Sequence, residues 1–351
     1  ALAQLRQHPL ISIIGIVGTA LSIFLIMLVV MMQQVKVAPF SPESNRNRFL
    51  HVHYMSISHK DWGNGTSNGP MSVQTAREVY KSLKTPEAVT VYCCMTVSTP
   101  VSLPGAPAIG ADVRETDDTF FHVFDFQFTD GKPYDEATFT AGRPVAVITE
   151  SISRALFGSI QSVGKEFLLS HAPYRVVGVV KDVSTLADMA YGQVWIPFTS
   201  TNLSNDTWSD NHMGMMSVTL LAHDREDFDE IRAEAKRRMN EYNSILADQG
   251  YTLIDRNRPY DQETQSISFA ANLEPDLKAA RRERVIIFII LLLVPAINLS
   301  SMTQSRLRQR VAEIGVRRAF GSTRIEMVGQ IVMENLVITL LAGAIGLLIR
   351  D

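Results

Sequence analysis

Three histidines that lie close together in the chain, His51, His53 and His59, are the residues best placed to bind a metal. On a β-strand His51 and His53 point to the same side, because successive side chains alternate between the two faces. No acidic or cysteine ligand accompanies them at a spacing that suits zinc. We therefore favour a partly exposed polar strand face, with a metal site as the alternative.

The other groups that could do chemistry do not form a catalytic set. Asp117 and Asp118 are adjacent carboxylates, but no nucleophile and base with the spacing of an enzyme accompany them. The segment Gly158–Gly164 resembles a phosphate-binding loop only superficially, because Lys165 is not followed by Ser or Thr. The sequence predicts a non-catalytic chain with no cofactor, no metal and no ATP-binding motif of its own.

Aromatic residues are concentrated between Phe120 and Phe128. Phe124, Phe126 and Phe128 alternate along the chain, so on a strand they share one face. Packing in a core is the favoured interpretation. The alternative is an apolar surface that binds a lipid-like or peptide cargo.

The elements that position these residues are set by long apolar runs. The net charge of −3 and mean hydropathy of +0.06 resemble those of a soluble protein, but these averages hide a segregated distribution. Residues 10–32 and 285–304 are each long enough, at about 1.5 Å per residue, to cross a hydrocarbon core of roughly 30 Å. Residues 325–350 form a third span if Glu334 lies near an interface or faces protein. We predict three transmembrane helices.

A basic segment, residues 305–324, separates the second and third runs. Short cationic loops between spans stay in the cytoplasm, which also places residues 1–9 inside and residues 33–284 outside. This topology predicts a membrane protein with a large outer segment.

Within the basic segment, Val311–Phe320 has helical composition and Gly321 can end the helix. Thr323 and Glu326 match a capping box, which begins a new helix. The short helix either lies on anionic lipid or docks a cytoplasmic protein.

The outer segment reads as two strand-helix-strand units separated by a β-rich insert. Two such units can form a four-stranded sheet with helices on one face, which is a ferredoxin-like arrangement. The predicted elements of the units are a strand at 49–58, a helix at 72–84, a strand at 89–95, a strand at 217–222, a helix at 225–246 and a strand at 251–255. The predicted elements of the insert are a strand at 145–149, a helix at 150–157 and strands at 166–170 and 174–181.

The stretch Arg310–Ser322 contains E-I-G-V-R-R-A-F-G and, with Glu334 in the next helix, resembles the FtsX-like permease domain of MacB-type ABC transporters. Residues 145–183, with V-A-V-I-T-E-S-I-S-R-A-L-F-G, V-G-K-E-F-L-L and Y-R-V-V-G-V-V-K-D-V, are similar to the MacB-type periplasmic core domain. The resemblance implies an α+β membrane protein with a ferredoxin-like porter part (45–98 and 216–265), a β-rich sabre-like insert (99–215), a stalk (270–284) and an FtsX-like domain (285–351).

The resemblance also implies a function. The implied protein is a multi-pass permease subunit of the inner membrane. It couples ATP hydrolysis to movement of the periplasmic domain. The ATP and Mg are bound by a separate cytoplasmic ATPase, which hydrolyses the ATP. This mechanotransmission drives export or extraction of a peptide, lipoprotein or drug from the periplasm or outer leaflet. The residues implied in ATPase coupling are Arg310, Glu313, Ile314, Gly315, Arg317, Arg318, Phe320 and Gly321.

The implied partners are a cytoplasmic ABC ATPase, a second permease subunit in a homo- or heterodimer, the lipid membrane, and a periplasmic adaptor with an outer-membrane channel; no nucleic acid is expected. Two departures from the family pattern are expected, namely that the ATPase is a separate chain and that a fourth helix is missing after residue 351. The alternatives are an FtsX-like cell-division regulator that activates a cell-wall hydrolase and a membrane-bound peptide sensor.

Overall fold

The computed structural model describes residues 9–309, 311–321, 323, 325–329, 332–333, 336 and 340. The chain divides into two compact units. The first, called the outer unit here, comprises Lys36–Pro275, and the second comprises the residues up to Val35 together with those from Asp276 onward. The boundaries of the outer unit agree closely with the outer segment predicted at 33–284.

The outer unit contains all of the described strands. They are β1 Phe49–Val52, β2 Met55–His59, β3 Thr66–Gly69, β4 Ala88–Cys93, β5 Val97–Ser102, β6 Ile109–Thr116, β7 Phe128–Gly131, β8 Val145–Thr149, β9 Glu166–Leu169, β10 Ala172–Val180, β11 Val194–Pro197, β12 Met216–Leu221, β13 Tyr251–Ile254 and β14 Tyr260–Asp261.

The α-helices are α1 Pro9–Val37, α2 Val73–Thr75, α3 Phe120–Val123, α4 Glu136–Thr140, α5 Glu150–Phe157, α6 Phe228–Leu246, α7 Gln262–Gln265, α8 Leu277–Gln309 and α9 Val311–Ala319. A π-helix, Ala76–Lys81, continues α2. The short 3₁₀ turns are Arg46–Arg48, Lys60–Trp62, Phe198–Ser200, Leu203–Asn205, Arg225–Asp227 and Ala247–Gln249.

Six strands in the β-rich part of the outer unit form a closed ring. Their pairing order is β11-β8-β10-β9-β5-β6, and β11 also pairs with β6, which closes the ring. Closure leaves no unpaired strand edge within the ring, which removes a common site of aggregation. An apolar core cluster that includes Val101, Ile148, Phe167, Val176 and Ile196 belongs to these strands and to α5. The prediction of a β-rich insert agrees with this arrangement.

Local signals in this part match the structure closely. Strand β8 and helix α5 have the predicted bounds. The hydroxyl of Thr149 accepts a hydrogen bond from the Ile152 amide at 3.4 Å, and Gly158 ends α5 with a φ of +69°. A cap at the start and a left-handed glycine at the end define a helix within its own sequence.

Strand β7 pairs with β10 of the ring, and the other seven strands form the second part of the outer unit. In the large sheet β4 pairs with β12, β12 with β1, and β1 with β14, while β13, β2 and β3 form a separate three-stranded sheet. The single strand predicted at 49–58 is wrong, because the chain passes at His53 and Tyr54 from one sheet to the other. Apart from β3 and β14, the pairing order is therefore β4-β12-β1 in one sheet, continued by β2-β13 in the other.

Helix α6 covers the sheets with its apolar side. The predicted stripe is confirmed, since Phe228, Ile231, Ala235, Tyr242 and Leu246 are all buried. These residues share a core cluster with apolar side chains from both sheets. Three- and four-residue spacing thus identifies the buried face of this helix correctly.

The second unit is described mainly by its helices. Among the described residues one helical segment, Ala20–Val37, is long and apolar enough to cross a membrane by length and composition alone. The predicted span at 285–304 falls within α8. The predicted stalk at 270–284 is helical only from Leu277, where the Asp276 carboxylate accepts the Ala279 amide at 2.9 Å and begins α8.

Candidate functional site

The basic segment 305–324 contains a discrete short helix with a defined end. Helix α9 closes with a bond from the Phe320 amide to the Val316 carbonyl at 3.1 Å, after which Gly321 adopts a φ of +95°. A positive φ is accessible to glycine without steric cost, so this residue stops the helix. The predicted break at Gly321 is confirmed.

The next helix begins with the predicted capping box. The Thr323 amide donates to the Glu326 carboxylate at 2.9 Å, and the Glu326 amide donates to the Thr323 hydroxyl at 3.3 Å. Each side chain satisfies a backbone amide that would otherwise lack a partner at the start of a helix. Residues 325–329 are helical as a result.

The predicted coupling residues are described to different extents. Arg310 lies outside the described residues, and so do the side chains of the four residues Glu313, Ile314, Arg317 and Arg318, whose backbone belongs to α9.

Gly315 lies on α9 and is exposed. Phe320 is 89% exposed, and Val311 and Val316 are also largely exposed. Val316 precedes Phe320 by about one helical turn and lies on the same side, so these two side chains offer an apolar contact to another molecule.

The outer unit begins with a buried ion pair that sequence reasoning missed. The Arg46 guanidinium donates to the Glu43 carboxylate at 2.7 Å, with 3% and 0% of the two side chains exposed. The carboxylate also accepts the amides of Met189 and Ala190 at 2.9 and 3.0 Å. Glu43 and Arg46 are three residues apart, but the two amides are more than 140 residues away along the chain, so no local sequence signal reveals that the pair is buried.

The guanidinium of Arg46 connects the same region to the end of α1. It donates to the carbonyl of Ala38, directly after α1, at 3.1 Å and to that of Leu186 at 2.9 Å, and it lies 4.2 Å from the centroid of the Phe40 ring. The segment that follows α1 is thereby fixed to the β-rich part of the outer unit.

A chain of hydrogen bonds that runs from the surface into the sheet provides a second attachment. The Gln262 amide group donates to the carbonyl of Lys36 at 2.8 Å, and its oxygen is 2.9 Å from Nε2 of His51. The other ring nitrogen of His51 lies 3.2 Å from the Thr219 hydroxyl, which is 2.9 Å from the hydroxyl of Tyr92. The last turn of α1 is therefore linked to the centre of the large sheet.

His51 and His53 share one face as predicted, with ring centroids 6.1 Å apart. The expectation of a partly exposed polar face is wrong for His51, which is fully buried. Burial lowers the pKa of His51 well below its usual range and that of His53 to about 4, so both rings are neutral near pH 7. His59 lies on β2 in the other sheet. No group of three or more candidate metal ligands occurs among the residues that the structure describes.

Phe124, Phe126 and Phe128 do not form the strand face that alternation predicts. Phe124 directly follows the short helix α3, and only Phe128 belongs to a strand. Phe124 is fully buried and Phe126 is 9% exposed, with its ring 5.0 Å from that of Trp195. The rings pack in a core, which agrees with the favoured interpretation and leaves no shared apolar face open to a cargo.

A cleft of about 740 Å³ opens elsewhere in the β-rich part. Its lining combines apolar side chains with the cationic Lys132, Arg143 and Arg175 and the carboxylates of Asp135 and Glu166, of which Glu166 pairs with Arg175 at 3.1 Å. Mixed linings of this kind are typical of small-molecule sites. The cleft has the size and mixed polarity to accept a small ligand that is partly apolar and partly polar.

Comparison with known proteins places these features in a family. Residues 10–238 match the MacB-like periplasmic core domain, and residues 285–349 match the FtsX-like permease C-terminal domain. The chain is 22% identical to the ABC transporter permease YknZ of Bacillus subtilis in a gapped alignment of 359 positions, which covers 99% of this chain and 83% of YknZ.

The chain is also 24% identical to the macrolide export ATP-binding/permease protein MacB of Burkholderia cenocepacia over 241 residues. This match covers 68% of the chain and 33% of MacB, so the chain spans about a third of that protein. The crystal structure of the periplasmic region of MacB from Actinobacillus actinomycetemcomitans aligns with a TM-score of 0.39 at 19% identity, covering 58% of this chain and 88% of that one.

A mixed α/β outer unit, inserted in the sequence between long apolar helices and followed by a basic helix and an FtsX-like segment, defines an ABC transporter permease. Such a permease is the non-catalytic subunit of its transporter and works with an ABC ATPase. The chain belongs to the MacB/FtsX-like permease family, since the MacB-like match alone covers more than half of its length.

Proposed function

We propose that this chain is a multi-pass permease of the inner membrane that transmits movements of a separate cytoplasmic ATPase to the outer unit, and so drives export or extraction of a peptide, lipoprotein or drug. The observation that carries the proposal is the continuity of α8, Leu277–Gln309. At about 1.5 Å per residue the helix is roughly 50 Å long, whereas a bilayer core is roughly 30 Å thick. A continuous helix of this length, which contains Pro295 near its middle, can carry a displacement across the membrane.

The exposure of apolar side chains on α8 supports a membrane location. Val285, Ile286, Ile287, Ile289 and Ile290 are all about half exposed. Consecutive positions point to different sides of a helix, so this part of α8 is apolar all round. Such a surface needs lipid or other apolar helices around it. A second span in α1 and a third at 325–350 complete the proposed topology.

The short helix α9 is the proposed docking site of the ATPase. It is bounded by the Gly321 stop and followed by the Thr323–Glu326 cap, so it is a separate element between α8 and the helical residues 325–329. Its exposed Phe320 offers an apolar anchor, and the sequence around it is basic. Apolar anchors within a charged rim are typical of helix recognition. The coupling role of Glu313 and Arg317 is part of this proposal.

The pairing order in the outer unit supports a ferredoxin-like porter part. If β1 and β2 are taken as one interrupted strand, the order β4-β12-β1/β2-β13 joins two strand-helix-strand units. The closed six-strand ring would then be the sabre-like insert. A second permease copy, a periplasmic adaptor and an outer-membrane channel are the further partners that we propose for export.

The proposal is tested by making α8 flexible where it leaves the outer unit. The double variant Ala279→Gly, Ala280→Gly weakens the helix by about 1 kcal/mol per glycine, and Ala279→Gln, Ala280→Gln is the matched control that keeps good helix formers. The full chain is co-purified with its ATPase in nanodiscs, and hydrogen exchange of the outer unit is compared with and without ATP.

We expect ATP to change exchange in residues 36–52 of the unmodified chain and of the glutamine control. In the glycine variant this response should be lost while the ATPase still co-purifies. If ATP does not change hydrogen exchange in the outer unit of the unmodified chain, the proposal is wrong. In the same preparation Glu313→Ala with Arg317→Ala should abolish ATPase association, and unchanged association would remove α9 as the docking site.

The FtsX-like match favours a second candidate, a regulator in which the outer unit activates a cell-wall hydrolase. Both candidates use the same coupling segment and differ in what the outer unit does. The relatives named macrolide exporters favour export. Activation of a hydrolase by the ATP-bound complex, without movement of any substrate, would decide for the regulator.

A further inference from the structure

A second cleft, of about 600 Å³, lies in the outer unit and is lined by aromatic and small polar residues. It is formed by the hairpin of β2 and β3, by strand β13 and by the loop 208–213. The residues that line it are Trp62, Gly65, Thr66, Ser67, Trp208, Ser209, Asp210 and Tyr251.

Two of the three tryptophans of the chain lie in this cleft. Trp62 is 39% and Trp208 is 37% exposed, whereas Trp195 is fully buried. Large aromatic side chains are normally buried on folding, so two that remain exposed in one concave place indicate a binding surface.

The aromatic rings of the cleft are held in place. The indole N–H of Trp208 donates to the Ser67 hydroxyl at 3.1 Å. The ring of Trp62 packs edge-on against Tyr251 at a centroid distance of 5.8 Å and lies 5.5 Å from the ring of His59. Rings that are fixed before binding lose little conformational entropy when a ligand arrives.

The loop that carries Trp208 has an unusual backbone. Ser209, Asp210 and Asn211 are three successive residues with φ of 51°, 51° and 67°. Paired amide–carbonyl bonds between Trp208 and Met213, at 3.0 and 3.1 Å, close the loop. Left-handed conformations of non-glycine residues cost energy and occur most often at functional sites. Here they place the Asp210 carboxylate beside the rings.

Among the residues that line the cleft, Asp210 is the charged one. Asp210 is exposed, and its carboxylate raises the pKa of the neighbouring Tyr251 hydroxyl in addition to the effect of burial. None of the lining residues, all of which belong to the described part of the chain, is a lysine or arginine. An anionic cleft with open aromatic faces favours cations and disfavours anions.

We propose that this cleft binds an organic ammonium group, held against the faces of Trp62 and Trp208 and paired with the Asp210 carboxylate. Ammonium ions are attracted to aromatic faces, most strongly to tryptophan, and the attraction grows as water is excluded. The same chemistry occurs in a free quaternary ammonium compound and in the lysine side chain of a peptide. The site is independent of the permease function proposed above.

The test is a titration of the full chain in detergent, in which binding is measured by tryptophan fluorescence and by calorimetry. Choline is the probe, and 3,3-dimethylbutan-1-ol, which has the same shape without the charge, is the matched control. We expect choline to saturate and to bind roughly tenfold more tightly than the neutral analogue, since 1.4 kcal/mol corresponds to a factor of ten. Equal binding of the two, or no saturable binding of choline, overturns the proposal.

Two variants test whether the charge of Asp210 contributes to binding, and a third tests the ring of Trp208. Asp210→Asn should weaken choline binding severalfold, whereas Asp229→Asn, which neutralises an exposed carboxylate on α6, should leave it unchanged. Trp208→Leu should remove most of the fluorescence response and weaken binding measured by calorimetry. Unchanged affinity in Asp210→Asn, with a folded protein, also overturns the proposal.

A final arm identifies the source of the ammonium group. Nα-acetyl-lysine amide is titrated beside choline, and both are competed against each other. Tighter binding of the lysine derivative indicates a peptide or protein ligand, and tighter binding of choline indicates a free quaternary ammonium compound. Competition between the two in either order confirms one shared site, while additive binding contradicts it.

Discussion

Breaking the buried ion pair should destabilise the outer unit far more than breaking an exposed pair of the same type. Glu43 and Arg46 are three residues apart with almost none of either side chain exposed. Asp229 and Arg232 have the same spacing on α6, with 96% of Asp229 exposed. The variants Glu43→Gln and Asp229→Asn therefore make the same chemical change in two different environments.

The loss of unfolding free energy in each variant depends on which charged group remains without a partner. In Glu43→Gln the new amide oxygen can still accept the Met189 and Ala190 amides, but the Arg46 guanidinium stays buried without its counter-charge. Removing one partner of a buried pair costs about 3–5 kcal/mol, whereas an exposed pair contributes about 0–1 kcal/mol. For a unit of this size each kcal/mol lowers Tm by roughly 2–4 °C.

The measurement is hydrogen exchange of the full chain in detergent, read at the amides of Met189 and Ala190, together with urea unfolding of the outer unit. We expect Glu43→Gln to lose at least about 3 kcal/mol and to expose these amides, and Asp229→Asn to lose less than about 1 kcal/mol. Adding Arg46→Met to Glu43→Gln should recover part of the loss, because the unpaired charge is then gone. Equal losses in the two single variants would show that burial does not set the strength of the pair.

Three further predictions concern acid, the core and the coupling segment. Burial lowers the folded-state pKa of His53 to about 4, below its usual 6.5, so its contribution to stability is complete above pH 6.5 and is lost as the pH falls towards 4; the loss is about 3 kcal/mol. His53→Leu should flatten a plot of unfolding free energy against pH, and His223→Gln, at an exposed site, should not. Ile231→Ala, in the core under α6, should cost about 2–5 kcal/mol in urea unfolding. Thr323→Ala should cost about 1 kcal/mol at the helix start and accelerate exchange of the amides in residues 325–329.

Features written into a few neighbouring residues could be predicted from the sequence. Helix α5 has its cap at Thr149 and its stop at Gly158 in the sequence itself. The break at Gly321 and the capping box at Thr323 and Glu326 are equally local. In these cases the interacting groups lie within a turn or two of each other, so the sequence contains the whole interaction.

Features that depend on distant partners were missed. The alternation of Phe124, Phe126 and Phe128 indicated a strand, but the contacts of these rings with Trp195 and other aromatic side chains form a core that does not require one. Regular alternation through 49–58 likewise gave no sign of the break at His53, since each half of the segment pairs with strands far along the chain. The burial of the Glu43 ion pair was also missed, because amides more than 140 residues away hold its carboxylate.

The two places where the chain enters and leaves the outer unit are connected through one side chain. Gln262, shortly before α8 begins, donates to the carbonyl of Lys36 at the end of α1 and contacts His51 in the sheet. The segment after α1 is also fixed through Arg46 to the β-rich part. The segment after α1 is thus bonded both to the sheet and to the β-rich part. Under the function proposed above, a displacement that arrives at Lys36 therefore acts on both parts of the outer unit.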